Sequence, residues 1–320
     1  MALPTLDANP PTTKPVKARG RRVRRLTNRD RIVLGLMLGV PALLHIGLVW
    51  GPTLASIALS FTSWDGIGGL GTIEWIGLRN YREIFTIYPP FWPAVQHNII
   101  WLVFLLIVPT SFGLFLAVLL DKKLRFSRLY QSAIFTPVVL ALAIVGFIWQ
   151  LVYSPEQGLL NNILGTTGVD GDRPLIDWLG DPDLNLWAVL IAASWRHTGY
   201  IMILYLAGLK GVDPQLKEAA SIDGANEWQS FRKVVFPSLR PVNIVVVAVT
   251  VIEALRAFDI VYVINGGRNG LELVSVLVYQ NIVGEASRIG YGSALAVLML
   301  LVAIGFIVSY MAQIYREEKQ

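Results

Sequence analysis

Four charged residues set in otherwise apolar sequence are the groups best placed to do chemistry. Arg196 lies within the apolar stretch Leu186–Leu209, flanked by Trp195, His197 and Tyr200, while Glu253, Arg256 and Asp259 lie within Val242–Ile264. An ionisable group near the centre of a membrane span costs roughly 2.5–3.5 kcal/mol on insertion scales, so it calls for a compensating role. Glu253 to Arg256 and Arg256 to Asp259 are both i,i+3 spacings, which on an unbroken helix lets the three pair along one face. With Arg196 the group sums to zero charge. Such groups could line a polar path for a hydroxyl-rich solute, which needs donors and acceptors beside aromatic faces. Trp195, Tyr200, Phe258 and Tyr262 could supply those faces. The rival reading is a buried structural ion-pair network, or an Arg196 that snorkels toward an interface.

Other chemistries find less support. The chain has 0 cysteines, which excludes a disulfide, a thiolate metal site and a cysteine nucleophile. His45, His97 and His197 are scattered, without metal-ligand spacing. No Gly-Lys dipeptide occurs, so there is no phosphate-binding loop of the Gly-x-x-x-x-Gly-Lys type. Gly66-x-Gly68-x-x-Gly71 matches the dinucleotide fingerprint letter for letter. It follows an apolar span, with no strand before it or helix after it, and reads as a flexible loop.

The elements that must carry these residues follow from composition. Of 320 residues, 54% are hydrophobic and 15% charged, with mean hydropathy +0.55. A soluble domain has about 25% charged residues, so this composition points to a membrane protein. A helix needs roughly 20 apolar residues to cross about 30 Å of hydrocarbon. Six stretches qualify: Ile32–Leu59, Ile99–Leu120, Ala133–Val152, Leu186–Leu209, Val242–Ile264 and Tyr291–Tyr315. Pro109 and Pro137 sit inside the second and third. Leu271–Val283 is too short to cross and reads as a short helix packed at the outer side. The first stretch is too long for a cleavable signal peptide and reads as an anchor, despite the paired arginines Arg21–Arg22 and Arg24–Arg25 before it.

Charge sets the orientation. The N-terminal tail, the connections after spans two and four, and the C-terminus together hold 20 of the 27 basic residues. The positive-inside rule then puts both termini in the cytoplasm of a multi-pass inner (plasma) membrane protein. The basic tail marks the cytoplasmic leaflet and its anionic lipids rather than nucleic acid. The chain divides into a disordered basic tail (1–31), a first transmembrane helix (32–59), an outer loop (60–98) and a core of five further spans (99–315).

The most informative segment is Val212–Pro241, between spans four and five on the basic side. Asp213 can cap a helix whose first residue is Pro214. Strong helix formers follow to Ile222, and Gly224 ends the helix where a reversal needs positive φ. A second helix carries Trp228, Phe231, Val234 and Val235 at helical spacing, and Pro237 is expected to stop it. Glu218-Ala219-Ala220, three residues, Gly224, nine residues and Val234-x-Phe236-Pro237 resemble the EAA motif of ABC importer permeases. Ile222-Asp223-Gly224-Ala225 and Trp228 narrow the resemblance to the carbohydrate-uptake branch, the maltose and glycerol-3-phosphate permease type. Trp75–Tyr81, Gly158-Leu159-Leu160-Asn161, Ala207-Gly208-Leu209 and Phe258–Tyr262 agree with it. Gly266-Gly267-Arg268 departs from it, because the family often has proline at the third position.

The resemblance implies an all-α membrane fold, the six-transmembrane-helix bundle of a type I ABC importer permease. It implies that residues 212–241 form a coupling loop that docks in a cleft of a separate ATPase subunit. Glu218 would pair with a basic group there, Ala219, Ala220 and Asp223 complete the motif, and Gly224 makes the tight turn. Trp228 and Phe231 would brace the loop against the membrane helices. ATP and magnesium belong to that partner, and this chain itself carries no cofactor, no metal and no catalytic residue. The other implied partners are a second homologous permease, a second ATPase copy, an extracytoplasmic binding protein and membrane lipid. The implied cargo is a sugar or oligosaccharide, with glycerol-3-phosphate or another polyol as the alternative. Two readings of other classes stay open: an integral membrane enzyme using Glu253, Arg256 and Asp259, and an ion-coupled secondary transporter. Only the importer requires a stoichiometric ATPase.

Overall fold

Hydrocarbon offers backbone groups no hydrogen-bond partner, so a chain of this composition must satisfy them internally, and helices do so within one segment. The computed structural model describes residues 27–67, 69–122, 124–166, 175–284 and 287–317, and among them it is helical, with a single isolated bridge between Thr62 and Trp75. It divides into residues 1–53 and 54–320. The first unit holds most of α1 (Asn28–Leu59), a 32-residue apolar rod that passes through a π-turn at Ile46–Trp50. Its start is set by a reciprocal cap. Thr27 Oγ1 accepts from Asp30 N at 3.2 Å, and Asp30 Oδ2 accepts from Thr27 N at 3.0 Å. Residues 28–31, expected in the disordered tail, are therefore the first turn of a helix. The rest of that tail, residues 1–26, lies outside the described residues, as do residues 167–174.

In the second unit, α2 (Arg79–Thr86) precedes α3 (Phe91–Asp121), which is 31 residues long and begins well before the expected Ile99. Pro93 lies in the first turn of α3, where a missing N–H costs nothing. α4 (Ser127–Val139) and α5 (Leu142–Val152) form one bent pair, angled by 100°. Leu140 and Ala141 between them are extended. α6 (Leu159–Leu164) leads to α7 (Asn185–Lys210), 26 residues long. After α8 (Pro214–Ile222) and α9 (Glu227–Ser230) come α10 (Arg240–Leu255), α11 (Asp259–Asn265), α12 (Val274–Ile282) and α13 (Ile289–Glu317). Among the described residues, three helices are long and apolar enough to cross a membrane unaided: Asn28–Leu59, Phe91–Asp121 and Ile289–Arg316. The expected third span is thus a bent pair. The fifth is a broken one, because helix geometry fails between Leu255 and Asp259. Gly66 turns a loop at φ +87°, followed by a short 3₁₀ turn at Leu70–Thr72, so the glycine fingerprint supports no nucleotide site. Gly68 itself lies outside the described residues.

The largest helix–helix interface joins α3 to α7. Gly113 permits it. A methyl group on Gly113 would come within 2.9 Å of Ile201 Cγ2 and 3.1 Å of the Met202 backbone nitrogen, the close approach that small residues allow between membrane helices. Pro109 interrupts α3 without cost to the Leu105 carbonyl it frees, because Thr110 Oγ1 donates to that oxygen at 2.8 Å. Around α3 and α7 the core forms clusters about Val189, Leu190 and Val261, about Ala117, Ile201 and Leu239, and, where α12 meets α13, about Leu277 and Leu295. Two buried asparagines tie down the connections at the end of the bundle where α3 begins. Asn80 donates to the Ser60 and Thr62 carbonyls, both at 2.9 Å. Asn161 donates to Pro155 and Ile176 and accepts from Trp178 Nε1, all at 2.8 Å.

Gly113→Ala should lower the thermal midpoint of the purified chain, because overpacking costs about 1–3 kcal/mol. Gly305→Ala, where an added methyl group meets nothing within 4 Å, should leave the midpoint unchanged or slightly raised, as helix propensity favours alanine. Equal midpoints for the two variants would contradict the close α3–α7 approach.

Candidate functional site

The segment between α7 and α10 is an elbow built by local capping. Asp213 Oδ1 accepts from Gln215 N at 2.9 Å, with Pro214 first in α8. The α8 helix closes as its composition demands: Gly224 has φ +79°, and Ala225 N donates to Ala220 O at 3.0 Å. A methyl group on Gly224 would meet nothing within 4 Å, so glycine is required there by its backbone angle and not by any neighbour in this chain. Asn226 then caps α9 in a reciprocal box with Gln229, at 2.8 and 3.0 Å. The helix does not stop at Pro237. It continues through a π-turn, Phe231–Val235, and a last turn, Phe236–Ser238. The widened turn precedes the residue that has no N–H to give, which is how a helix carries a proline near its end.

One side of the elbow is packed and the other presented. Ala220, Val235 and Leu239 are buried, and Phe231 packs against the cluster around Ile201 and Tyr205. Trp228 stacks on Phe231 at 6.0 Å but is 66% exposed, so the bracing expected of both rings falls to Phe231. Glu218, Ala219, Asp223, Gly224 and Pro237 are exposed, and Ile222 is 85% exposed. Glu218 has no ion pair among the described residues.

Two ion pairs fix the packed side to the end of α3. Lys217 Nζ lies 3.2 Å from Asp121 Oδ2, and Lys122 Nζ lies 2.8 Å from Glu227 Oε2. The Lys122 hydrogen bond and charge hold the Glu227 carboxyl below its ordinary range. That contact is therefore present at neutral pH and lost as acid protonates the carboxylate. Sequence reading missed Asp121, Lys122 and Glu227 as functional residues. The only available signal was the pairing of opposite charges at the ends of distant segments.

The intramembrane charges are brought together by the break after α10. Arg196 lies 3.8 Å from Glu253, and Arg256 lies 3.7 Å from the same carboxylate. Arg256 no longer continues the helix, so its expected i,i+3 partnership with Asp259 does not form, and Asp259 makes no ion pair among the described residues. Arg196, Glu253, Arg256, Phe258 and Asp259 line one cavity of about 40 Å³. It is roomy and polar enough for water, and both ion-pair distances exceed direct hydrogen-bond range. Arg196 Nε is buried without a hydrogen-bond partner. His197 Nε2 and Thr250 Oγ1, 3.1 Å apart, link α7 to α10 beside it. Tyr200 packs instead toward the cluster around Ile201, and Trp195 lies edge-on to Trp149 at 6.0 Å. Tyr262 stacks on Phe258 at 5.2 Å, away from the charges.

Comparison with known proteins fits this geometry. Residues 110–317 match the family described as binding-protein-dependent transport system inner membrane component. A probable ABC transporter permease protein of Pyrococcus horikoshii is 32% identical over 93% of this chain and 100% of its own length. A xylose/arabinose import permease protein of Haloferax volcanii is 31% identical over 92% of each chain. A solved bacterial ABC transporter that imports the acidic polysaccharide alginate has a chain of similar fold. Its TM-score is 0.76 at 20% identity, covering 90% of this chain and 96% of that one. With the family pattern extending over more than half of its length, this chain belongs to the inner membrane components of binding-protein-dependent transport systems and is a multi-pass ABC importer permease.

Proposed function

We propose that this permease carries a sugar or oligosaccharide inward, driven by ATP hydrolysed in separate subunits that dock on the Glu218–Pro237 elbow. The elbow and both termini face the cytoplasm. A second permease completes the pore, and a binding protein delivers cargo at the opposite face. The relatives named for arabinose oligosaccharides, trehalose/maltose and xylose/arabinose support the cargo class. The observation that carries the docking role is the division of the elbow. Its inner face is packed and tied to α3 through Lys217, while Glu218 and the Gly224 turn are exposed, Glu218 has no ion pair among the described residues, and Trp228 is 66% exposed. Force on the outer face would pass through Lys217–Asp121 and Phe231 into the bundle. The small cavity at Arg196 and Glu253 lies on the proposed path. At about 40 Å³ it does not hold a sugar in this conformation, so transport requires the helices around it to part.

Gly224→Asp should leave the protein folded in the membrane, because the strain of a side chain at φ +79°, about 1–2 kcal/mol, stays within the elbow and the added atoms meet no neighbour within 4 Å. ATP-driven uptake of the sugar retained by the binding protein, and recovery of ATPase subunits on purification, should both fall at least about tenfold, a coupling loss near 1.4 kcal/mol. Wild-type uptake by that variant would defeat the docking role.

Lys217→Glu should reduce uptake while changing stability by no more than about 1 kcal/mol, the usual worth of a half-exposed pair. Asp121→Lys combined with Lys217→Glu should restore it. If the double variant transports no better than the single, the tie does not transmit force.

Arg196→Ala and Glu253→Ala should each reduce the maximal uptake rate at unchanged ATPase recovery. Normal rates and affinities in both would leave the cluster a structural network.

A further inference from the structure

The end of the bundle opposite the elbow holds a second, far larger recess. It measures about 840 Å³ and lies between the C-terminal end of α5, the last turns of α11, and α12. That size falls in the range of about 300–1,000 Å³ typical of ligand sites, whereas the cavity at Arg196 is about 40 Å³. Its wall carries two tyrosines in contact. The Tyr262 and Tyr279 rings are 4.7 Å apart and nearly edge-on, with their hydroxyls 3.0 Å from each other. Phe258 stacks on Tyr262 at 5.2 Å and lies tilted against Tyr279 at 5.3 Å. Phe258 also lines the Arg196 cavity, so the aromatic surface runs unbroken from the recess to the buried charges. Tyr262 remains 40% exposed, with its ring available to a ligand.

Beside the rings stand polar groups with spare hydrogen-bonding capacity. Gln150 spends its amide hydrogens on the Val263 and Ile264 carbonyls, at 2.8 and 2.7 Å, which leaves its oxygen as an acceptor. Asn281 donates to Tyr88 Oη at 3.1 Å and to Leu277 O at 2.8 Å, which leaves its oxygen likewise. Gln280 lines the recess, and Arg268 has no ion pair among the described residues. Aromatic faces offer the C–H surface of a pyranose ring an apolar contact. Fixed amides and a guanidinium match its hydroxyls.

We propose that this recess is a saccharide-binding vestibule, with Tyr262 and Tyr279 as its stacking platform and Gln150, Gln280 and Asn281 as its hydroxyl partners. It takes a neutral oligosaccharide before the cargo reaches the Arg196 cavity. The identity of the ligand rests on the sugar-import reading, while the site rests on the geometry above.

Saturation-transfer NMR on the full chain in lipid nanodiscs, with maltotriose and xylotriose as probes at about 10 mM, suits the millimolar affinity expected of a transit site. Saturation of the sugar protons is expected in the wild-type chain with at least one probe. It should drop about tenfold in Tyr262→Ala/Tyr279→Ala and persist in Tyr262→Phe/Tyr279→Phe, which keeps the rings. It should weaken about threefold in Gln280→Leu, which leaves the tyrosine packing untouched, and stay unchanged in Gly305→Ala, which does not line the recess. Absent saturation with both probes in the wild-type chain, or equal saturation in the wild-type and double-alanine chains, would overturn the proposal. The import reading fails separately. Sugar that saturates through the tyrosines in a transporter without ATP-driven uptake would defeat that reading and leave the vestibule standing. ATP-driven uptake without tyrosine-dependent saturation would do the reverse.

Discussion

Inside a bilayer nothing but the protein itself can satisfy a carbonyl, an N–H or a charge, and three irregularities in this chain answer to that rule. Pro109 removes a hydrogen bond in α3, and Thr110 takes the freed Leu105 carbonyl. The break between α10 and α11 exposes backbone at Ala257, and Ser275 Oγ donates to its carbonyl. The last turn of α11 leaves the Val263 and Ile264 carbonyls unpaired within the helix, and Gln150 from α5 donates to both. At these three places a polar side chain, from the same helix or from another element, takes the freed carbonyl. The breaks are thereby confined to places where neighbouring segments converge, and the polar cavity lies at one of them.

This rule also explains which parts of the structure were legible in the sequence. The elbow was, because its determinants are local. Asp213 before Pro214, the positive φ of Gly224 and the apolar spacing of Phe231 and Val235 act within a few residues of one another. The short helix within Leu271–Val283 was legible for the same reason, since Val274–Ile282 is bounded by its own sequence. Pro237 was read as a stop because no simple spacing announces a π-turn, and the Phe231–Val235 turn lets the helix reach Ser238.

Breaks within apolar stretches were not legible. Hydropathy summed over a window is the same for a straight helix and for two half-helices, so Ala133–Val152 and Val242–Ile264 each read as one span. The 100° bend between α4 and α5 and the gap at Arg256–Phe258 are decided by what packs against them. The ties from Asp121 to Lys217 and from Lys122 to Glu227 join residues 96 and 105 positions apart, and opposite charge at two segment ends does not by itself say which partners meet. Asn80 and Asn161 entered as parts of a family resemblance. Their physical work, closing connections through side-chain amides, emerged only with the neighbours in place.

The two sites are mechanically joined by the same pair of rods. Trp101 and Leu105 of α3 line the Arg196 cavity, and Asp121, the last residue of α3, holds Lys217 of the elbow. Sixteen residues separate Leu105 from Asp121, about 24 Å at 1.5 Å per residue. Fourteen separate Arg196 from the end of α7 at Lys210, about 21 Å, just before Asp213 opens the elbow. Both segments are helical over these lengths, with Pro109 inside α3, and they pack on each other through Gly113. At the far end of the rods the contacts are the loose ones. Arg196 and Arg256 stand 3.8 and 3.7 Å from Glu253, beyond direct hydrogen-bond range and beside a cavity of about 40 Å³. Ion pairs without a direct hydrogen bond lose less on further parting than hydrogen-bonded ones, whereas the elbow end is close-packed and tied. Under the proposed docking role, a displacement delivered to the elbow would be carried along α3 and α7 and spent where the contacts are loosest, at the polar gap.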